Sequence, residues 1–164
     1  MAEPVVSNID PGIPGSPIDF QLQTFFPYLV RLFYRSVSSS IEDIYQSTYG
    51  LTVSEWRTIV VLGPRQALSA GDIVAQSSMD KVNVSRAVGR LREAGLLKRD
   101  IDGDDRRKAV LRLTPEGVEV FNALVPKVLA MQEHLFDGLS SDERATLLEL
   151  MSKVRGNADR IRAE

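Results

Sequence analysis

Residues 81–117 read KVNVSRAVGRLREAGLLKRDIDGDDRRKAVLRLTPEG, and this stretch decides the fold. Its first part predicts a helix, since Asp80 stands ahead of it as an N-cap and Gly95 suits the C′ position that ends a helix. The runs Leu96–Arg99 and Ala109–Leu113 predict two short strands on either side of a long charged turn. The stretch is therefore a helix followed by a β-hairpin.

Further helices are predicted on both sides of this stretch. Apolar residues recur at three- and four-residue spacing from about Asp19 and predict one long amphipathic helix that ends near Gly50. Capping sequences predict the starts of four more helices, at Thr52–Glu55, Ser69–Asp72, Thr114–Pro115 and Ser140–Glu143. The order is a long helix, three shorter helices, a hairpin and two long helices.

Three helices followed by a hairpin form the winged helix-turn-helix arrangement. We predict a mostly α fold with a small β-hairpin wing, in which residues 49–114 form the DNA-binding lobe. Residues 19–48 and 115–164 are predicted to form a helical dimerisation region, because their apolar faces exceed what one small winged helix can cover. Residues 1–18 contain four of the eight prolines and predict a flexible arm.

Composition excludes several classes of protein. The 164 residues include 43% hydrophobic residues and no cysteine, so disulfide frameworks and thiolate metal sites are excluded. The longest run without a charged residue has 11 residues, well short of the roughly 20 that a membrane helix needs. The N-terminus has no pattern of a secretory signal. We expect a cytoplasmic protein without metal or cofactor.

The charge is distributed unevenly along the chain. The net charge is −2, but residues 81–112 carry ten basic and five acidic side chains, and the rest carries ten basic and seventeen acidic. Such asymmetry predicts a polyanion-binding segment on an acidic body. A basic face that is merely solvated explains the charge alone equally well.

The helix that begins at Lys81 has one face suited to reading DNA. At 100° per residue, the apolar side chains of Val84, Ala87, Val88 and Leu91 point inward, and the outward face carries Val82, Asn83, Arg86, Gly89 and Arg90. Arginine pairs with guanine, asparagine with adenine, and an apolar side chain with the thymine methyl. Lys81 and Ser85 suit phosphate oxygens. The alternative is an ordinary solvated helix, against which the exposed valine and glycine argue.

The hairpin tip carries the second set of candidate DNA contacts, Asp105, Arg106, Arg107 and Lys108. Asp105 can hold an arginine in one rotamer, and an arginine held in this way can enter a narrow minor groove. A solvated turn is the alternative interpretation of this segment.

Residues 84–117 closely resemble the winged-helix signature of the MarR family of bacterial transcriptional regulators. Its elements are Ser85-Arg86 on the recognition helix, the run from Leu91 to Leu96, Asp105-Arg106-Arg107 in the wing, and Leu113-Thr114-Pro115-Glu116-Gly117. The resemblance implies a homodimer whose interface is built from the first and last two helices, bound to a pseudo-palindromic operator. It also implies that Asp105 and Arg107 act together to place Arg107 in the minor groove.

The resemblance further implies a small-molecule effector. Members of the family often bind aromatic acids or related anions, and the sequence around Glu55 and Lys81 resembles members that control aromatic-acid breakdown, some of which sense the acyl-CoA thioester. Candidate pocket residues combine aromatic rings with cations: Tyr28, Arg31, Arg35, Trp56 and Arg57. The alternative is that the aromatic side chains at helical spacing belong to the core.

The most consistent function is a DNA-binding repressor, released by a ligand. An enzyme is not expected, since the only histidine, His134, has no nucleophile pattern near it, and the sequence shows no glycine-rich phosphate loop. The alternative is a winged-helix module that binds another protein, because one fold can serve several functions.

Overall fold

The computed structural model describes residues 20–64, 66–101 and 109–163. Within these ranges six α-helices and two β-strands follow in the predicted order: α1 (Phe26–Tyr49), α2 (Val53–Leu62), α3 (Ala70–Ser77), α4 (Lys81–Glu93), β1 (Leu97–Ile101), β2 (Ala109–Leu113), α5 (Pro115–His134) and α6 (Ser141–Ala163). The arm at residues 1–18 lies outside the described residues. So does the hairpin tip, with the candidate residues Asp105, Arg106, Arg107 and Lys108.

The chain divides into two compact units, Met1–Val37 and Ser38–Glu164. The boundary falls inside α1, so the two units share that helix. This division by internal contacts differs from the predicted division by function into an arm, a dimerisation region and a DNA-binding lobe. The functional division stays a prediction.

The first unit shows where α1 begins. A short 3₁₀ turn at Leu22–Thr24 precedes the helix, and the rings of Phe20 and Phe25 meet edge to face with their centroids 5.1 Å apart. The helix begins at Phe26, later than the predicted start near Asp19. Pro27 gives the reason, because a residue without a backbone N–H is tolerated only in the first turn of a helix.

Capping boxes begin α2 and α3 as predicted. The Thr52 N–H donates to Glu55 Oε2 at 2.8 Å, and the Glu55 N–H donates to Thr52 Oγ1 at 3.3 Å. Ser69 and Asp72 make the same reciprocal pair of bonds, at 2.9 and 3.2 Å. Each box satisfies backbone N–H groups that a helix start otherwise leaves without a partner.

The core of the second unit lies between the short helices, the hairpin and α5. Its most completely buried side chains are Tyr45, Thr58, Ile59, Leu62, Ile73, Val84, Leu91 and Leu124. Trp56, which is 8% exposed, stacks on Tyr45 with ring centroids 5.6 Å apart and 16° between the planes. This stack joins the end of α1 to the start of α2.

The hairpin is antiparallel, with register pairs from Leu97↔Leu113 to Ile101↔Ala109. A third segment extends the sheet at one point: the Leu68 N–H donates to the Leu111 carbonyl at 3.2 Å, and the Leu111 N–H donates back at 2.8 Å. The base of the wing is therefore hydrogen-bonded to the segment that leads into α3.

A close backbone approach connects the wing to α5. The Thr114 hydroxyl donates to the Gly95 carbonyl at 2.7 Å, and the Thr114 N–H donates to the Leu96 carbonyl at 3.1 Å. Gly117, in the first turn of α5, packs so closely that a Cβ at this position would lie 2.1 Å from the Leu96 carbonyl oxygen. Only glycine fits here, which explains physically the glycine of the Leu-Thr-x-x-Gly motif.

Ion pairing and capping hold the turn between α5 and α6. Arg144 donates two hydrogen bonds to Glu133, at 2.6 and 2.9 Å, and its guanidinium lies 4.3 Å from the centroid of the Phe136 ring. The hydrogen bond from Arg144 lowers the pKa of Glu133 below its ordinary value. The predicted capping box at the start of α6 is present, and the bond from the Ser140 backbone N–H lowers the pKa of Glu143.

Large apolar side chains remain exposed on the first and last helices. On the last two helices these include Leu129, Leu148, Leu150, Met151, Val154 and Ile161, and near the start of α1 they include Phe26, Leu29, Val30 and Phe33. Among the described residues, no helix combines the length and the apolar character needed to cross a membrane.

Candidate DNA-binding surface

Helix α4 presents the outward face that the helical period predicts. Val84, Ala87 and Leu91 are buried, and Val88 packs partly buried against the core. The candidate DNA-binding residues of this helix are all exposed: Lys81, Val82, Asn83, Ser85, Arg86 and Arg90. Val82 is 57% exposed, so its methyl groups are accessible to an apolar partner such as a thymine methyl. The two predicted faces of α4 are confirmed, whereas the DNA contacts themselves stay a prediction.

The N-terminus of α4 is organised by Asp80. One carboxylate oxygen accepts the backbone N–H of Asn83 at 2.8 Å, and the other accepts its amide N–H at 2.7 Å. The first bond caps the helix. The second uses one of the two N–H groups of the Asn83 amide, so the amide keeps an N–H and an oxygen for a ligand. A donor beside an acceptor is the pair that adenine presents in the major groove.

The two outward arginines of α4 differ in their surroundings. Arg86 makes no ion pair with any residue in the described ranges, so no described carboxylate neutralises its guanidinium. Arg90 lies with Nη1 3.6 Å from Oε1 of Glu55 on α2. The spacing of Thr52 and Glu55 indicates only a capping role for Glu55, because its contact with Arg90 depends on how α2 packs against α4.

The described part of the wing carries its own charges. Asp100 on β1 pairs with Lys98 at 3.0 Å and with Arg112 of β2 at 3.9 Å. These two cations of the basic stretch are thus partly compensated within the hairpin.

An open groove of about 530 Å³ adds a feature that sequence analysis did not single out. It lies between the C-terminal half of α4 and β1, and its lining consists of Gly89, Arg92, Glu93, Leu97, Lys98 and Arg99. Its three cations come together because the turn at Gly95, with a φ of +72°, folds β1 back against the helix. No periodicity within one element indicates such a grouping.

The candidate ligand-binding residues lie on two helices. Tyr28, Arg31 and Arg35 belong to the part of α1 in the first unit, and Trp56 and Arg57 belong to α2. Trp56 is part of the core through its stack on Tyr45, and Arg57 is half-buried. The assignment of these five residues to a ligand stays a prediction.

Three short helices, a basic outward face on the third of them and a following hairpin define a winged helix-turn-helix DNA-binding protein. Residues 49–108, from the end of α1 to the wing tip, match the family model described as the MarR family. Over these residues the chain is similar to this family of transcriptional regulators.

Curated relatives agree with this assignment. The chain is 28% identical over 108 residues to a putative transcriptional regulatory protein for the hcr operon of Thauera aromatica, covering 66% of this chain and 65% of the relative. It is 26% identical over 104 residues to the HTH-type transcriptional repressor NicR of Pseudomonas putida, covering 63% and 66%. The chain thus spans just under two thirds of the length of each of these relatives.

Solved structures show the same fold. The regulator BpsR of Bordetella bronchiseptica, whose DNA binding is regulated by 6-hydroxynicotinic acid, superposes with a TM-score of 0.74 at 25% identity, over 83% of this chain and 96% of that chain. A MarR/EmrR family regulator from Acinetobacter sp. ADP1 superposes with a TM-score of 0.77 at 22% identity, over 86% and 99%. The predicted winged-helix fold is confirmed.

Proposed function

We propose that the protein is a cytoplasmic repressor that binds a pseudo-palindromic operator as a homodimer and leaves the DNA when it binds a small ligand. The observation that carries the proposal is the outer face of α4, where Arg86, Asn83 and Val82 are exposed beside one another on a helix with a buried opposite face. These three side chains have the chemistry to recognise guanine, adenine and a thymine methyl in the major groove.

The remaining candidates are proposed to bind the backbone and the minor groove. Lys81 and Ser85 flank the reading face of α4 and suit phosphate oxygens, as does the basic pair Arg106 and Lys108 in the wing tip. Arg107 is proposed to enter the minor groove in a rotamer held by Asp105. Contacts of both kinds fix the register of the helix on the duplex.

The experiment that tests the proposal is selection of bound fragments from the DNA of the host, followed by affinity measurements over a range of salt. If Lys81, Arg90, Arg106 and Lys108 of each protomer displace phosphate counterions, eight contacts in a dimer give a slope of log affinity against log salt of about −7. A module that binds protein through its wing, the alternative function, selects no fragment and gives a flat plot.

The proposal of a homodimer rests on the exposed apolar side chains of the terminal helices. Leu150, Val154 and Ile161 recur on one side of α6 and are exposed in the single chain. Exposed apolar surface of this extent is typical of a protein–protein interface. A second copy covers it in a symmetric dimer, which also matches a pseudo-palindromic site.

We expect Val154→Glu to convert the dimer to a monomer, because it places a charge in the centre of this apolar surface. Sedimentation at micromolar concentration measures the change, with Ser152→Glu on the opposite side of α6 as the matched control that stays dimeric. A wild-type chain that sediments as a folded monomer contradicts the proposed assembly.

The effector is proposed to be an aromatic acid or its acyl-CoA thioester. The relevant comparison is BpsR, whose DNA binding responds to 6-hydroxynicotinic acid, an aromatic acid. Arg31 and Arg35 supply cations for a carboxylate, and Tyr28 on the same helix supplies an aromatic ring. The test is to add metabolites of the neighbouring genes to the complex of the protein with its selected operator. An effector of this class releases the operator, whereas unrelated anions do not.

A further inference from the structure

We propose that Glu55 is a positioning residue for DNA binding: this buried carboxylate of α2 holds the guanidinium of Arg90 at the outer face of α4 before DNA arrives. The proposal deepens the proposed function, on which it rests, since it assigns a role to a residue that does not itself contact DNA. It goes beyond the capping role that the position of Glu55 at the start of α2 explains.

The surroundings of Glu55 indicate this role. Glu55 is only 6% exposed, and its Oε2 accepts the Thr52 N–H at 2.8 Å. Its other oxygen, Oε1, faces Nη1 of Arg90 at 3.6 Å. A buried carboxylate is stable only when its charge is compensated, and Arg90 is the cation that compensates it within the described ranges.

The Arg90 side chain is well placed to connect Glu55 to DNA. The side chain is 67% exposed, so one edge of the guanidinium faces Glu55 and most of its surface faces solvent. Because a guanidinium has five N–H donors, Arg90 can remain next to Glu55 and still donate to a phosphate oxygen. The packing of buried Ile59 and Leu62 of α2 with Val84 and Leu91 of α4 keeps the two partners in register.

The direction in which DNA affinity changes when Glu55 loses its charge distinguishes this proposal from simple electrostatics. On charge alone, removing a carboxylate from beside a DNA-binding face tightens binding to a polyanion. If Glu55 positions Arg90, its loss weakens binding, because Arg90 must then be ordered when DNA binds. Ordering one arginine side chain at that moment corresponds to a loss of about tenfold in affinity per site.

Glu55→Gln is the test, because glutamine keeps the shape and an oxygen that accepts the Thr52 N–H but carries no charge. We expect affinity to fall about tenfold per half-site, and so about 100-fold for the dimer on its operator, at fixed salt. Arg90→Gln is expected to weaken binding at least as much and to reduce the salt slope by about one for each protomer. The double variant is expected to bind no worse than Arg90→Gln alone, since the two residues act as one unit.

The matched control is Glu143→Gln, the same change at the same capping position of α6, which is expected to leave operator affinity unchanged. Thermal unfolding of every variant shows whether the folded fraction is preserved. Unchanged or tighter binding by Glu55→Gln, or additive losses in the double variant, overturns the positioning role while the proposed function stands. A wild-type protein that binds no DNA overturns both.

Discussion

Gly117→Ala is expected to destabilise the protein by about 3 kcal/mol or more, because the new methyl group meets backbone that cannot move away. The added Cβ lies 2.1 Å from the Leu96 carbonyl oxygen. That peptide is held on both sides, since the Leu96 N–H donates to Leu91 at 2.9 Å and the Leu96 carbonyl accepts from Thr114 at 3.1 Å. Helix propensity alone predicts the opposite sign, because alanine in a helix is favoured over glycine by about 1 kcal/mol.

Thermal or urea unfolding measures the effect, at one protomer concentration because dimerisation makes stability concentration-dependent. Gly156→Ala is the matched control: Gly156 is also helical, but a Cβ added there meets nothing within 4 Å. We expect this control to stabilise the protein by about 0.5–1 kcal/mol. If both variants are more stable than the wild type, Gly117 does not pack closely against the Leu96 carbonyl in the protein.

Arg86→Ala is expected to have the largest effect on DNA binding. A bidentate contact to guanine is worth about 1–3 kcal/mol, and a dimer makes it in both half-sites, so affinity for the operator is expected to fall between about 30-fold and about 20,000-fold. Arg86 has no ion pair with a described residue, so no carboxylate within the described ranges has to be released when Arg86 binds a base.

Arg86→Lys distinguishes base reading from phosphate binding. Lysine keeps the charge but loses the planar fork that matches guanine, so it preserves a phosphate contact and weakens a guanine contact. We therefore expect Arg86→Lys to lose much of the preference for the operator over unrelated DNA while keeping the salt slope. An operator preference that survives both changes at Arg86 means that Arg86 contacts the backbone and that α4 enters the groove in another orientation.

Features encoded within a single element were predictable from the sequence. Thr52 and Glu55 are three residues apart, so the chain itself brings the cap together once a helix turn forms. The same holds for the inward and outward faces of α4, which follow from the helical period and are confirmed by the burial of Val84 and Leu91. Most helix starts were predicted correctly, because capping chemistry is local.

Contacts between distant segments were not predictable in this way. The pairing of Leu68 with Leu111, the approach of Gly117 to Leu96 and the ion pair between Glu55 and Arg90 each depend on how separate elements pack. Neither spacing nor composition encodes such pairs in a single sequence. The start of α1 was predicted too early for another reason. The apolar periodicity runs without a break through Pro27, but a proline has no backbone N–H and fits only in the first turn of a helix, so the helix begins next to Pro27.

The stack of Trp56 on Tyr45 gives the molecule a built-in optical reporter. Trp56 is the only tryptophan among the 164 residues, so the indole emission of the whole protein comes from a single place. At 8% exposure the ring is shielded from aqueous quenchers, and it stacks on the tyrosine at the end of α1. A change in the packing of α1 against α2 around Trp56 is therefore expected to change the wavelength or intensity of the tryptophan fluorescence. This signal requires neither a label nor a substitution.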